Sequence, residues 1–241
     1  MQFAIKLIAL GALFTGAASC FSMNDGCSAR SGALLTPVVE LYTSEGCSSC
    51  PPADKWLSTL KDKGAVVQAF HVGYWDYIGW IDRFATPAHT ARQRQVAAWN
   101  RQRAIYTPQA VLNGRDWRDW GGQPSSREPG RAAIVLSRQG ADQFEASVTP
   151  TADSAARWSA YWSVTEHGHS SRIRAGENAG EFLRHDFVVR QYTPVGDYRG
   201  AQTLRFNAIA ADPKHARQVN LVVFEPATGR PLQALALQCA G

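Results

Sequence analysis

The segment Cys47-Ser48-Ser49-Cys50-Pro51-Pro52 restricts the possible folds more than any other part of the chain, because of what flanks it. Before it runs Pro37-Val38-Val39-Glu40-Leu41-Tyr42, short, apolar and partly β-branched, the pattern of a buried strand. After it, Ala53 to Lys61 places Trp56, Leu57 and Leu60 on one helical face. Prolines are tolerated in a first helical turn, whose N–H groups have no intrahelical partner. Gly64 ends this helix, and Ala65 to Val72 is a second apolar strand. Two strands joined through one helix make a βαβ unit with parallel strands. The two cysteines therefore fall at a helix start. There the first thiol faces unpaired N–H groups and the positive end of the helix dipole, which favour its thiolate, and the second can attack a mixed disulfide. Cys47 is the expected nucleophile and Cys50 the expected resolving thiol. Zinc sites and structural disulfides share this spacing, but zinc needs further ligands, and the chain has no second CxxC and no HxxxH.

Downstream, Gly73 to Trp80 is an aromatic-rich loop, and Pro87 to Ala104 reads as a second helix. Ile105 to Gly114 is a strand entered through Thr107-Pro108 and left through Asn113-Gly114. From about residue 125 the pattern changes. A turn-rich link, Pro124 to Gly130, precedes strand-like runs at 132–136, 143–148, 156–165, 187–192, 201–210 and 219–224. Short strands at this spacing indicate a β-sandwich or β-rich appendage. With 45% hydrophobic and 19% charged residues the composition is globular. The formal charge of +5 comes from dispersed arginines rather than a basic tail, so no nucleic-acid partner is expected.

The N-terminus indicates the compartment. Lys6, the apolar run Leu7 to Phe14 and the small residues Gly16 to Cys20 have the three parts of a signal peptide, here 1–19, followed by a linker over 20–32. The apolar run is shorter than the ~20 residues a spanning helix needs, so no transmembrane span is expected. Cleavage after Ala18 gives a periplasmic or secreted protein; a lipobox at Ala17 to Cys20 would instead anchor Cys20 to lipid. The five cysteines, Cys20, Cys27, Cys47, Cys50 and Cys239, divide into one lipidated residue and two pairs on the second route. Export leads to an oxidising compartment. Chain ends often lie close together, so a Cys27–Cys239 staple is plausible, the alternative being two free thiols.

The order strand, CxxC, helix, strand, helix, Thr-Pro resembles the thioredoxin superfamily. That resemblance implies that Pro108 is cis and sits beside the CxxC, with Thr107, leaving backbone groups free to hold a substrate peptide. Superfamily members also carry a buried acid six residues before the first cysteine as proton acceptor. Glu40 lies seven before Cys47, and the alternative is a strand-edge carboxylate facing solvent. More narrowly, VELYTSEGCSSCPPADKWL, HVGYWDYIGW, IYTPQAVLNG and GENAGEFLRHDFVVRQY are similar to the exported bacterial family called domain of unknown function 1223. The expected fold class is thus an α/β thioredoxin-like domain over 33–124 followed by a β-rich, sandwich-like domain over 125–241.

The function expected is thiol–disulfide exchange on a protein or small thiol substrate without an organic cofactor, with Cys47, Cys50, Pro108, Thr107 and Glu40 as catalytic set. The alternatives are a copper(I)-handling protein using Cys47, Cys50 and His71, since soft thiolates suit that ion, and a binding module whose CxxC is a structural disulfide. His71 otherwise reads as a hydrogen-bonded strand-end residue. Tyr74, Trp75, Tyr77 and Trp80 read as packing or as a peptide-holding rim. Asp76 and Asp82 read as turn caps or partners of Arg83, and Arg92, Arg94, Arg101 and Arg103 as a solvated helix face. Glu177, Asn178, His185 and Asp186 match no catalytic spacing and read as loop and edge-strand polarity.

Overall fold

The computed structural model describes residues 26–152 and 157–239. The signal-peptide segment, Cys20 and its anchoring alternative lie outside the described residues. In chain order the elements are β1 (Ser28–Arg30), β2 (Val38–Thr43), α1 (Pro51–Ser58), β3 (Val66–His71), α2 (Pro87–Trp99), β4 (Gln109–Leu112), β5 (Arg115–Asp116), β6 (Ala132–Arg138), β7 (Gln143–Pro150), β8 (Trp158–Glu166), β9 (His169–Arg172), β10 (Phe182–His185), β11 (Val188–Tyr198), β12 (Gln202–Asn207), β13 (Arg217–Phe224) and β14 (Pro231–Leu237). A single 3-10 turn, Asp76–Ile78, interrupts the aromatic loop.

Eight strands form one mixed sheet in the order β14-β13-β8-β11-β3-β2-β4-β5. β2 and β3 are parallel, as a helical crossover requires, and β4 is antiparallel to β2. Both strands are buried throughout, so their alternation has two apolar outcomes. Val39 and Leu41 pack with Trp56, Leu57 and Leu60 of α1, while Tyr42 packs with Phe70 and Val96 on the α2 side. A second sheet, β1-β6-β7-β12, lies over the far end of the large one. Ile134, Leu136, Phe144 and Val148 meet Trp158, Trp162, Leu221 and Leu235 there in one core. β9 and β10 form a separate ribbon, and β10 packs beside α1.

This arrangement corrects the expected fold class. The described residues hold two α-helices, of 8 and 13 residues, against fourteen strands. Strands from the region read as an α/β thioredoxin-like domain, β2, β3, β4 and β5, share one sheet with β8, β11, β13 and β14 from the region read as a β-rich domain. The outer edge of β3 is closed by β11, with Val188 opposite Ala69. Val38 and Val66 share a buried cluster with Tyr161, Val222, Phe224 and Ala234. The reason is non-local: each run has the right period by itself, but nothing in a strand's own residues records which distant edge it will pair with. The ends of the chain are tied by a disulfide between Cys27 and Cys239, 212 residues apart.

Candidate functional site

The β2–α1–β3 crossover brings the start of α1 to the carboxyl ends of β2 and β3. Cys50 is the N-cap residue, Pro51 and Pro52 occupy the first helical positions, and the Cys50 carbonyl accepts the N–H groups of Ala53 and Asp54 at 2.9 and 3.1 Å. Cys47 and Cys50 are joined as a disulfide, with Cα atoms 5.4 Å apart. Both are buried, at 1% and 0% exposure, whereas Ser48 and Ser49 between them are exposed. The Ser49 hydroxyl lies 3.4 Å from Cys47 Sγ.

Three segments hold this turn. Gly46 lies against Trp75, so closely that a Cβ there would stand 3.0 Å from Trp75 Cβ. The Trp75 indole N–H in turn donates to Thr107 Oγ1 at 2.7 Å, and the Thr107–Pro108 peptide is cis. Trp75 thus connects the loop carrying Cys47 to the Thr107-Pro108 step. From the far side, the link between β9 and β10 clamps the same loop. Asn178 Nδ2 donates to the carbonyls of Glu45 and Cys47 at 2.9 and 3.0 Å, and Glu177 accepts the Ser48 N–H at 3.1 Å. A cleft of about 590 Å³ opens beside the turn, walled by Ser48, Pro51, Asp54, Asn178 and His185 among others.

Under the turn lies a buried ionisable cluster. Glu45 and Asp54, on either side of the cysteine pair in sequence, converge on the imidazole of His185 from β10. Glu45 Oε1 is 3.3 Å from Nε2, and Asp54 Oδ2 is 3.7 Å from Nδ1. The His185 ring packs edge-on against His71, centroids 4.9 Å apart, and His71 Nδ1 is 2.7 Å from Asp82. Asp82 also accepts the N–H of Glu45, and the Trp80 indole donates to Glu45 Oε2. Burial raises the Asp54 carboxyl above its ordinary value, despite nearby His185 and His71. Burial would raise Asp82 too, but the charge of His71 outweighs it and lowers Asp82. His71 is correspondingly raised, the Asp82 charge overcoming burial. Both His185 nitrogens, His71 Nε2 and Glu45 Oε1 are buried without a hydrogen-bond partner.

The sequence candidates fall into two groups. Cys47, Cys50, Thr107 and Pro108 are brought to one turn and its flank. Glu40 is not: it projects to the α2 side, where it takes two hydrogen bonds from Arg92, at 2.7 and 3.2 Å, and others from Tyr42 and Tyr161. Burial would raise this carboxyl, but the Arg92 guanidinium holds it below its ordinary value. Arg92 therefore leaves the expected solvated face; Arg94 is exposed on α2, whereas the helix ends at Trp99 and not Ala104, which leaves Arg101 and Arg103 exposed beyond it. Asp82 pairs with His71 rather than with Arg83, whose guanidinium bonds the Ser170 carbonyl. Tyr77 is 82% exposed, while Trp75 and Trp80 are half-buried donors. Among the described residues no group of three or more His, Cys, Asp or Glu side chains stands in an arrangement that could hold a metal ion.

Sequence reasoning missed Glu45 and Asp54, and it separated Glu177, Asn178 and His185 from the cysteines. Their only signal was the density of polar residues at 177–186. Asn178 and His185 are buried, which loop polarity does not explain.

Fold and site together define a strand-dominated protein, oxidised at two disulfides, with one of them closing a CxxC turn at a helix start. The chain belongs to the family described as protein of unknown function (DUF1223), whose model matches residues 38–225. Among solved structures it is similar to protein AGR_C_4864 from Agrobacterium tumefaciens, at 24% identity over 86% of this chain and 96% of that one, with a TM-score of 0.62. It is also similar to HBP35 of Porphyromonas gingivalis, at 12% identity over 85% of this chain and 75% of that one, with a TM-score of 0.60. No curated protein matches it. Among the described residues no helix is long and apolar enough to cross a membrane.

Proposed function

We propose that this chain is an exported thiol–disulfide exchange protein acting through Cys47 and Cys50. The observation that carries the reading is the disulfide placed at the N-terminus of α1, where the positive end of the helix dipole favours a thiolate released on cleavage. The second disulfide, Cys27–Cys239, supports an oxidising compartment. In the oxidising direction a substrate thiolate attacks Cys47 Sγ, the Cys47–Cys50 bond breaks, and Cys50 leaves as a thiolate that takes up a proton. A second substrate thiolate then attacks the substrate sulfur of the mixed disulfide, and Cys47 leaves and is protonated. Two electrons pass from two thiols to the protein, yielding one substrate disulfide and the Cys47–Cys50 dithiol. The reducing direction is the reverse, with Cys50 as the resolving thiol. Thr107 and Pro108, tied to the loop through Trp75, are the residues assigned to hold the substrate beside Cys47.

The test is a trap. The Cys50→Ser chain, incubated with oxidised glutathione or a disulfide-bearing peptide, is expected to accumulate a mixed disulfide on Cys47 that peptide mass mapping locates. Absence of any adduct on Cys47 refutes the reading. The burial of both cysteines and the Asn178 clamp favour one competing account, a permanent structural disulfide. On that account the wild-type pair stays oxidised in every thiol buffer.

A further inference from the structure

Breaking the Cys47–Cys50 bond creates a thiolate on a residue with no exposed surface. A charge generated there is costly unless a neighbouring group neutralises it. Cys50 has no exposed surface, and a buried acid beside it is the kind of group that can supply the proton. Glu40, the acid the sequence offered, is engaged with Arg92 on the other face of the sheet.

Asp54 is differently placed. It lies four residues after Cys50, and residues i and i+4 of a helix are neighbours on one face, with Cβ atoms about 5–6 Å apart. Its own N–H bonds the Cys50 carbonyl. Its carboxylate is buried and accepts one hydrogen bond, from Thr43 Oγ1 of β2 at 3.1 Å. The other groups facing it come from three further elements: His185 of β10, His71 of β3, and Asp82 after the aromatic loop, with Glu45 beyond His185. Of these, His185 is unusual, because both ring nitrogens are buried and neither has a hydrogen-bond partner. Its ring stands between two carboxylates, 3.3 Å from Glu45 and 3.7 Å from Asp54, and lines the cleft.

We propose that Asp54, positioned by His185, holds the proton that Cys50 gains when the disulfide is cleaved and returns when it reforms. This inference rests on the exchange reading above. On cleavage the Asp54 proton passes to the Cys50 thiolate, and the resulting carboxylate lies beside the imidazole. On reoxidation the Cys50 thiol returns the proton to Asp54, and the thiolate attacks the mixed disulfide on Cys47. The electrons are those of the exchange step; the pair contributes only the proton. Burial raises the Asp54 carboxyl above its ordinary value, which agrees with this role.

Two measurements test it. First, Cys47 of the reduced full-length chain attacks the disulfide of dithiobis(nitrobenzoate), releasing one thionitrobenzoate and keeping the other as a mixed disulfide, and release of that second chromophore by Cys50 is followed against pH. Asp54→Asn is expected to slow release at least tenfold at pH 7, Asp54→Glu to restore it to within threefold, and His185→Gln to displace the pH profile. Second, Cys47→Ser protein, reduced with a phosphine, is alkylated at Cys50 over a pH series. Asp54→Asn in that background is expected to move the midpoint of alkylation by at least one pH unit. Near-UV circular dichroism checks that each variant is folded, and Asp54→Glu keeps the test informative if Asp54→Asn is not. Unchanged release and an unchanged Cys50 midpoint in folded Asp54→Asn and His185→Gln overturn the proposal. A shifted midpoint in a protein that forms no adduct with any disulfide substrate would retain the Asp54–Cys50 coupling and refute the exchange reading alone.

Discussion

Replacing Arg92 by Met removes the guanidinium that neutralises Glu40 while keeping most of the side-chain volume. Both partners are buried, the pair makes two hydrogen bonds, and the guanidinium stacks 4.7 Å from the Tyr161 ring and 5.2 Å from that of Trp99. Leaving a buried charge without its partner costs about 3–5 kcal/mol. The retained hydrogen bonds from Tyr42 and Tyr161 place the expectation near the lower end, about 3 kcal/mol at pH 7. The effect must also depend on pH. In the parent, Glu40 titrates below its ordinary 4.5, so its pairing stabilises the fold fully above that value, and the contribution is lost as pH falls through the depressed folded value. In Arg92→Met burial is opposed only by the hydrogen bonds from Tyr42 and Tyr161, the carboxyl titrates above its ordinary value, and the fold is penalised increasingly as pH rises past that point. The gap between the two proteins therefore widens from acid to neutral pH. Urea unfolding at a series of pH values measures it, and Glu40→Gln/Arg92→Met is expected to recover more than half of the loss. A loss below about 1 kcal/mol at pH 7, or a double variant no more stable than the single one, would refute the account of this pair.

Other outcomes follow from the same contacts. Asn178→Ala frees two buried carbonyls and is expected to cost about 2 kcal/mol in urea unfolding, at about 1 kcal/mol per bond, while speeding reduction of Cys47–Cys50 by dithiothreitol. Cys27→Ser/Cys239→Ser opens a closure of 212 residues and is expected to lose about 3–5 kcal/mol in thermal or urea unfolding. His89, whose Nδ1 meets the His71 carbonyl at 3.0 Å, is pushed by burial down to about 4, so it stays neutral when folded. Stability tied to it is present above 6.5 and lost as pH falls towards about 4, with a slope of one proton; His89→Asn is expected to flatten that slope in unfolding experiments across the same range.

How much of this was legible in the sequence divides along locality. The apolar, partly β-branched run Pro37 to Tyr42, the prolines at 51 and 52 and the glycine at 64 act over a few residues, and β2, α1 and β3 stand where they indicate. β6, β7, β8, β11, β12 and β13 were visible for the same reason, whereas β9, β10 and β14 were not read as strands. The sheet order was not, because β3 meets β11 only through a pairing between residues more than a hundred positions apart. The site shows the same division. CxxC is a local pattern, whereas Asn178 and His185 reach it across a fold whose topology the sequence reading had split in two. Glu40 was placed by its distance from Cys47 along the chain, but strand alternation turned it towards α2. Arg92 was read as solvated because arginines usually are, yet a buried carboxylate on the facing strand drew it inward.

The central claim is that Cys47 and Cys50 exchange their disulfide with thiols. It is tested most directly by equilibrating the purified chain in glutathione buffers of graded ratio, quenching with alkylating agent and counting modified Cys47 and Cys50 by mass. The account predicts a reduction potential between about −270 and −120 mV, with Cys27–Cys239 remaining oxidised throughout. A Cys47–Cys50 pair still fully oxidised at potentials below about −300 mV would contradict it and leave the disulfide as a structural clasp.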